Sequence, residues 1–471
     1  MLFHIRFRNE HEAACMEMPV RLVPGKEADL EAKVLPDGVQ AWIHDLPADL
    51  CLILNTFTTS GHGVWLVGGC VRDVCMGQST GDTDIDLATT CQPQEVMALF
   101  GDAAVATGLE YGTVTLKGDQ AHYQVTTLRT ESHYRDGRHP EQVTWGESLN
   151  EDLSRRDFTI NSMAIDAARG ALYDPYDGIS DMVRRTIRAV GDPFQRCEED
   201  ALRMLRAYRF LSRDAGMLWT MDPQLHRAIL DLKQRLSMVT VERQWMEMKK
   251  MLESSHAGAL FNLMWRDGVF QVVFKDVQRV RPELLLVIDE PTLRRLHAHQ
   301  RLATMLVECS SNSVLKQLKE LKTSRAFQRA CAVFHEHLRF LPTPSVSHLR
   351  VFDHVLGEAA EAHLLVRATL EGLSPRFHDS DEVQSGLADT VLKAWGSMPP
   401  RLAPEECLVD GHWLMQRTGI QQGIRLGRLK QWMHRLQIEH DVTEPVQLEA
   451  LLSRLPFEHG DDEDWPKLEF P

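Results

Sequence analysis

Apolar and polar positions recur along the chain in two different periods. Val64-Trp65-Leu66-Val67 is an unbroken apolar run that ends at Gly68-Gly69, which predicts a short buried strand closed by a tight turn. Asp84, Ile85, Asp86 and Leu87 alternate, so a strand there sets both carboxylates on one face and both aliphatic side chains on the other. Tyr111–Leu116 and His122–Arg129 are rich in β-formers and predict two more strands. Residues 46–63 and Pro93–Phe100 predict helices, the second with proline at its start. Residues 130–150, with Gly137, Pro140 and many charges, predict a mobile loop. From Asp200 onward the period is helical. Leu202, Leu205 and Tyr208 form one stripe, and Arg203, Arg206 and Arg209 form an adjacent one. Val241–Leu252 continues as a helix, and beyond Phe270 the pattern is helical throughout, with breaks at Pro282, Pro291, Pro342-Thr343-Pro344 and Pro399-Pro400. Strands first and helices afterwards predict an α+β head with helices on one face of its sheet, followed by an all-α remainder.

Composition narrows the class. At 471 residues the chain is too long for one compact core. Its 43% hydrophobic and 25% charged content is ordinary for globular protein. No apolar run approaches the length of a membrane span, and Met1 to Arg8 lacks a signal-peptide core, so the expected setting is cytoplasmic, without a membrane. The nine cysteines contain no Cys-x-x-Cys pair, which indicates neither a zinc site nor a disulfide framework. A net charge of −15 argues against a surface that attracts nucleic acid everywhere, while leaving room for a local basic groove. The run Asp461-Asp462-Glu463-Asp464 reads as a solvated tail.

The chemistry concentrates near the first strand. Gly68 and Gly69 allow a ligand to approach the backbone, and the N–H groups that open the following helix can face phosphate oxygens. Arg72 sits one turn into that helix, where its fork can grip an anion. Asp84 and Asp86 offer paired hard oxygen ligands that suit Mg²⁺, whose remaining ligands come from water and a triphosphate. A phosphate cradle beside two carboxylates is the layout for metal-assisted nucleotidyl transfer.

Gly68-Gly69-Cys70-Val71-Arg72-Asp73, followed by Asp84-Ile85-Asp86-Leu87-Ala88-Thr89, resembles the catalytic signature of class II tRNA nucleotidyltransferases and bacterial poly(A) polymerases. Arg155-Arg156-Asp157-Phe158-Thr159-Ile160-Asn161 is similar to that family's next motif. The resemblance has specific motifs over roughly residues 60–270 and a looser match over 405–440. It implies a polymerase-β-like nucleotidyltransferase head followed by an all-α neck, body and tail that hold the tRNA acceptor arm. The expected divisions are an N-terminal extension at 1–45, the head at 46–185, a neck with base recognition at 186–265, a body at 266–404 and a tRNA-contacting tail at 405–471. Two Mg²⁺ ions on Asp84 and Asp86 would serve the reaction. Gly69, Arg72, Arg155 and Arg156 would hold the triphosphate of ATP or CTP and Asp157 the ribose, with Gly68, Asp73 and Asn161 also in the nucleotide-binding set.

The resembling family reads the base with a Glu-Asp-x-x-Arg element, matched here by Glu199-Asp200-Ala201-Leu202-Arg203. A carboxylate beside a guanidinium presents an acceptor next to a donor. Cytosine and adenine both complement that pair on their Watson–Crick edges, whereas uracil and guanine would leave buried polar groups unpaired. Asp200, one turn before Arg203, can orient it, and Arg206 and Arg209 would face the nucleotide or its phosphates. In the tail, Arg425, Arg428, Lys430, His434 and Arg435 cluster as a candidate contact for the tRNA backbone.

Two features refine the resemblance. The family's loop after the central strands is full length here, as in members that add the terminal A. Gly112-Thr113-Val114-Thr115 resembles the tRNA-repair branch, and the basic Gly-Arg-Arg-Phe signature of bacterial poly(A) polymerases is absent. One departure stands out. Gln124 occupies a strand position where many relatives carry a carboxylate. The expected activity is template-independent addition or repair of the tRNA 3′-terminal CCA from CTP and ATP. The alternatives are an A-adding enzyme that works after a separate CC-adding enzyme, a poly(A) polymerase, and a silent RNA-binding module, which the intact Asp-x-Asp disfavours.

Overall fold

The computed structural model describes residues 20–78, 85–119, 121–134, 140–277, 279–371, 373, 386–458 and 461–470, with side chains described outside 130–143. The chain forms two compact units: one runs to Ala207 and includes Trp219–Met238, and the other holds Tyr208–Leu218 and Val239 onward.

In the first unit, α1 (Val39–His44) and α2 (Ala48–Thr59) lead to β1 (Val64–Val67), α3 (Gly69–Cys75), β2 (Asp86–Thr89) and α4 (Pro93–Phe100). Strands β3 (Ala104–Gly108), β4 (Thr113–Lys117) and β5 (His122–Thr127) follow, then β6 (Arg129–Tyr134), β7 (Pro140–Trp145) and α5 (Leu149–Ser154). The remainder is β8 (Ala164–Asp166), β9 (Ala171–Tyr173), α6 (Gly178–Arg184), β10 (Thr186–Ile187), α7 (Pro193–Glu199) and the start of α8 (Leu202–Leu211), with β11 (Thr220–Met221) and α9 (Pro223–Leu232). The main sheet has the order β3-β4-β5-β2-β1-β8-β9. β2 lies antiparallel to β1 and parallel to β5, so the strand that begins at Asp86 is central.

Both faces of the central strands are covered. Trp65, Val67 and Ala88 pack with Leu149 and Leu153 of α5. Leu66 and Leu87, which alternate with them, are fully buried on the other side. The sequence predicted helices on one face only; α5 is the exception, because its two leucines give it an apolar edge four residues apart. The predicted mobile loop at 130–150 is also corrected. β6 and β7 pair as an antiparallel ribbon from Arg129↔Trp145 to Tyr134↔Pro140, and residues 135–139 lie outside the described residues. Thr144 and Trp145 favour the strand, and Pro140 sits at its first position, where no ladder donor is needed.

The extension before α1 has a structural job. Asp29 accepts hydrogen bonds from the Leu149 and Asn150 N–H groups at 2.8 and 3.2 Å, which satisfies the open end of α5. Arg169 donates to the Gly25 carbonyl at 2.7 Å, and the Lys33 N–H bonds the Leu172 carbonyl at 2.7 Å. Residues 20–34 therefore act as a strap over the helix that precedes Arg155 and Arg156.

The described part of the second unit contains helices and no strand. α10 (Val241–Leu252) matches the predicted neck helix. Pro282 and Pro291 start helical turns, as an absent N–H allows. Near its end, Ile424–His440 packs through Leu426, Leu429 and Met433 against Trp465. Arg428 bonds Asp462 at 2.9 Å and Glu463 at 3.4 Å, so the acidic run forms a helical turn held by one arginine, while Asp461, Glu463 and Asp464 stay exposed to solvent. Among the described residues, no helix is long and apolar enough to cross a membrane.

Candidate active site

β1 delivers the chain into Gly68, whose φ of 79° and ψ of −135° lie where a side chain is disfavoured. A Cβ there would stand 3.2 Å from the Asp86 Oδ2 and 3.4 Å from the Arg156 Nη1. The turn, the carboxylate at the head of β2 and the second arginine after α5 thus converge on one point. Register explains the meeting, since Val67 and Asp86 are paired across β1 and β2. Asp84 lies outside the described residues. Gln124 of β5 is the direct partner of Asp86, so a neutral amide stands beside the carboxylate.

Arg155 and Arg156 are held by a residue the motif reading passed over. Asp152, 1% exposed, accepts from Arg155 Nε at 3.1 Å and from Arg156 Nη2 at 3.2 Å. Burial pushes its carboxyl up, but the two guanidinium charges and their hydrogen bonds outweigh this and hold it below the usual range. The Arg156 Nε is buried and has no hydrogen-bond partner among the described residues. The Nη1 of the same guanidinium faces the side-chain-free turn, where its positive charge suits an anionic ligand.

A second network crosses the site. Arg72 is buried, and its Nε and Nη2 donate to Asp73 at 2.8 and 3.0 Å while its Nη1 donates to the Asn161 Oδ1 at 2.6 Å. The Asn161 amide donates to the Asp157 Oδ1 at 3.0 Å, and the Arg206 Nε donates to the Asp157 Oδ2 at 2.7 Å. Burial works against the Asp157 carboxylate, yet Arg206 and Asn161 hold its pKa at about 2. Arg72 thus joins α3 to the Asp157–Asn161 turn.

Arg203 donates to Glu199 Oε2 at 2.8 Å and to the Arg196 and Arg155 carbonyls at 3.1 and 2.7 Å. The sequence expected Asp200 to orient Arg203; the carboxylate found on that guanidinium is Glu199, four residues earlier on the same face. Asp200 instead ends α7, and its Oδ1 accepts from the Leu202 N–H at 3.1 Å. Arg209 belongs to the second unit, where it pairs with the buried Glu247 and lies 4.2 Å over the Phe210 ring.

Residues 64–188 match the Poly A polymerase head domain model, and residues 219–281 match the model described as a probable RNA and SrmB-binding site of polymerase A. The chain is 30% identical over 392 residues to a CCA-adding enzyme of Lactobacillus gasseri, covering 82% of this chain and 92% of that one. The chain belongs to the CCA-adding and poly(A) polymerase family. It is a nucleotidyltransferase. Among solved structures, that of the Bacillus stearothermophilus CCA-adding enzyme in complex with CTP has a TM-score of 0.65 at 27% identity, covering 86% of this chain and 96% of that one. The Thermotoga maritima CCA-adding enzyme complexed with tRNA shares the fold, with a TM-score of 0.59 at 19% identity over 89% of this chain and 99% of that one.

The tail cluster expected to meet tRNA is largely self-paired in this family member. Arg428 is on Asp462 and Glu463, Arg435 is on Glu439 at 2.8 Å, and Arg425 bonds the Phe457 carbonyl at 2.9 Å. His434 faces the Glu405 carbonyl at 2.9 Å. The partners Asp462, Glu439 and Glu405 are spread over some sixty residues of sequence, so the basic run alone gave no sign of them.

Proposed function

We propose that this chain builds or repairs the 3′-terminal CCA of tRNA, using CTP and ATP without a nucleic-acid template. The tRNA 3′-hydroxyl attacks the α-phosphate in line, the bond to the β-phosphate oxygen breaks, and pyrophosphate leaves. The observation that carries the reading is the convergence of Asp86 and Arg156 on Gly68. The name and extent of the Lactobacillus gasseri relative support the choice of tRNA over other RNA.

Roles follow from chemistry and position. Gly68 keeps the approach free of side-chain bulk, and Arg156 offers the Nη1 that faces this turn to a phosphate oxygen. Asp86 and Asp84 would hold Mg²⁺, which when bound supplies charge that acidifies the hydroxyl and neutralises the departing oxygens. Asp152 fixes both arginines, so little of their side-chain freedom is lost when the triphosphate arrives. Arg203, fixed by Glu199, and Asp200 present the donor and acceptor that select C and A. The acceptor arm of tRNA is the second substrate, and a separate CC-adding enzyme is not required.

Asp86→Asn tests the assignment. Incorporation of labelled CMP into a tRNA lacking CCA should fall by at least about a thousandfold, while the thermal transition stays within a few degrees. Retained activity in a folded variant would sink the metal assignment.

A further inference from the structure

The two loops at the far end of β1 and β2 from Asp86 carry three metal-ligating side chains. His62 follows α2, Cys91 follows β2, and Glu95 is the third residue of α4. Pairing of Val64 with Thr89 at this end, and of Val67 with Asp86 at the other, puts the trio roughly 10–15 Å from the candidate active site. A ring nitrogen of His62, the Cys91 Sγ and a Glu95 carboxylate oxygen all lie within 4.8 Å of one another.

The scaffold holds these positions firmly. The Gly63 N–H donates to the Thr90 Oγ1 at 2.9 Å, and the Thr90 N–H returns to the Gly63 carbonyl at 3.1 Å. The Cys91 N–H bonds the Thr89 Oγ1 at 3.1 Å, and the Cys91 carbonyl accepts from the Thr127 hydroxyl at 2.7 Å. Glu95 is oriented by the Gln92 N–H, which donates at 3.1 Å to its Oε2, the same oxygen that faces the Cys91 Sγ. The cap and the Cys91 thiol, which donates to the same carboxylate, account for Glu95 and Cys91 but not for His62. The His62 ring has no hydrogen-bond partner among the described residues.

We infer that His62, Cys91 and Glu95 form a second metal centre, of the zinc type, that ties the α2–β1 turn to the β2–α4 turn. The Cys91 Sγ stands 3.9 Å from the Glu95 Oε2. With zinc bonds of about 2.3 Å to sulphur and 2.1 Å to oxygen, a tetrahedral edge is about 3.6 Å, so the sulphur–oxygen edge is nearly formed and the His62 ring, within 4.8 Å, swings in to close the site. A mixed nitrogen, sulphur and oxygen set favours zinc over Mg²⁺, and water takes the fourth position. Cys91 is fully buried, His62 is half-buried and Glu95 is exposed, so the ion enters from the Glu95 side and the thiol forms the floor. Burial and the Glu95 carboxylate push the Cys91 thiol up to about 12, so the metal-free protein keeps S–H. Loading forms the Zn–S bond and releases that proton to solvent, and affinity therefore rises with pH. His62 is remote in sequence from Cys91 and Glu95, so no local metal-binding motif announces the trio.

The test uses the full chain, Co²⁺ as the probe and excess Mg²⁺ present throughout. Wild type should bind one equivalent of Co²⁺ with a sulphur-to-cobalt charge-transfer band, and Zn²⁺ should displace it and raise the melting temperature. Cys91→Ser should lose the band. His62→Gln, a change at a half-buried surface position that keeps the fold, should bind Co²⁺ at least tenfold more weakly. A band that survives Cys91→Ser, an unchanged Co²⁺ affinity in His62→Gln, or no band in wild type at one equivalent overturns the inference.

Discussion

Gly68→Ala places the smallest possible side chain at the point where the site converges. The backbone there has φ 79° and ψ −135°, a region that L-residues enter at a cost of about 1–3 kcal/mol. The new Cβ would also press on the Asp86 Oδ2 at 3.2 Å and the Arg156 Nη1 at 3.4 Å, tighter than ordinary contact. Relief requires the carboxylate and the guanidinium to retreat by some tenths of an ångström, or the turn to move. A misplacement approaching 1 Å costs about a hundredfold in rate, so a fall of roughly 10–100-fold in the single-turnover rate is expected. The assay is single-turnover CMP incorporation at saturating CTP and tRNA, with a thermal melt as the control for folding. Because the strain sits in one turn, the melting temperature should drop only by a few degrees. A variant with wild-type turnover and an intact fold would refute the claim that Gly68 keeps the approach to the site free of side-chain bulk.

Asp152→Ala strips the shared acceptor from two guanidinium groups and should raise the half-saturating CTP concentration at least tenfold; Asp152→Asn, which keeps part of the bonding, should fall between it and wild type. For Asp157, the folded pKa of about 2 lies below the ordinary 3.8, so its contribution is complete above about pH 4 and is lost as pH falls towards 2. That depression amounts to about 2–3 kcal/mol, and Arg206→Ala should remove it, moving the acid-unfolding midpoint to higher pH; superimposable acid curves would contradict the pairing. Gln124→Glu adds a second carboxylate beside Asp86 and should lower the half-saturating Mg²⁺ concentration several-fold in the incorporation assay, whereas an unchanged requirement would separate Gln124 from the metal.

The long periodic signals in the sequence translated directly into structure. Pro93–Phe100 is a helix over those residues, and the apolar run at Val64–Val67 is a buried central strand. Ala104–Gly108 and the three-residue strands Ala164–Asp166 and Ala171–Tyr173 were too short to show a period. The ribbon at 129–145 was read as a loop because Gly137, Pro140 and the charges outweighed its β-formers. At the site, motif residues were legible as a group, but their partners were not. Asp152 looks like one more acid on a helix until burial makes it the anchor of Arg155 and Arg156. Glu199 and Asp200 are equivalent on paper, and only the end of α7 decides that the former meets Arg203. Asp29 caps α5 from some 120 residues away in sequence, a contact that no local pattern encodes.

Nucleotide incorporation into three tRNA transcripts, ending at the discriminator base, at C and at CC, tests the central claim most directly. Each is supplied with CTP, ATP or both. The account predicts that all three are extended to CCA and no further when both nucleotides are present, and that CTP alone stops after CC. Extension of only the CC-ending transcript, by a single A, would contradict it in favour of an A-adding enzyme that needs a CC-adding partner, and long A tails would contradict it in favour of a poly(A) polymerase.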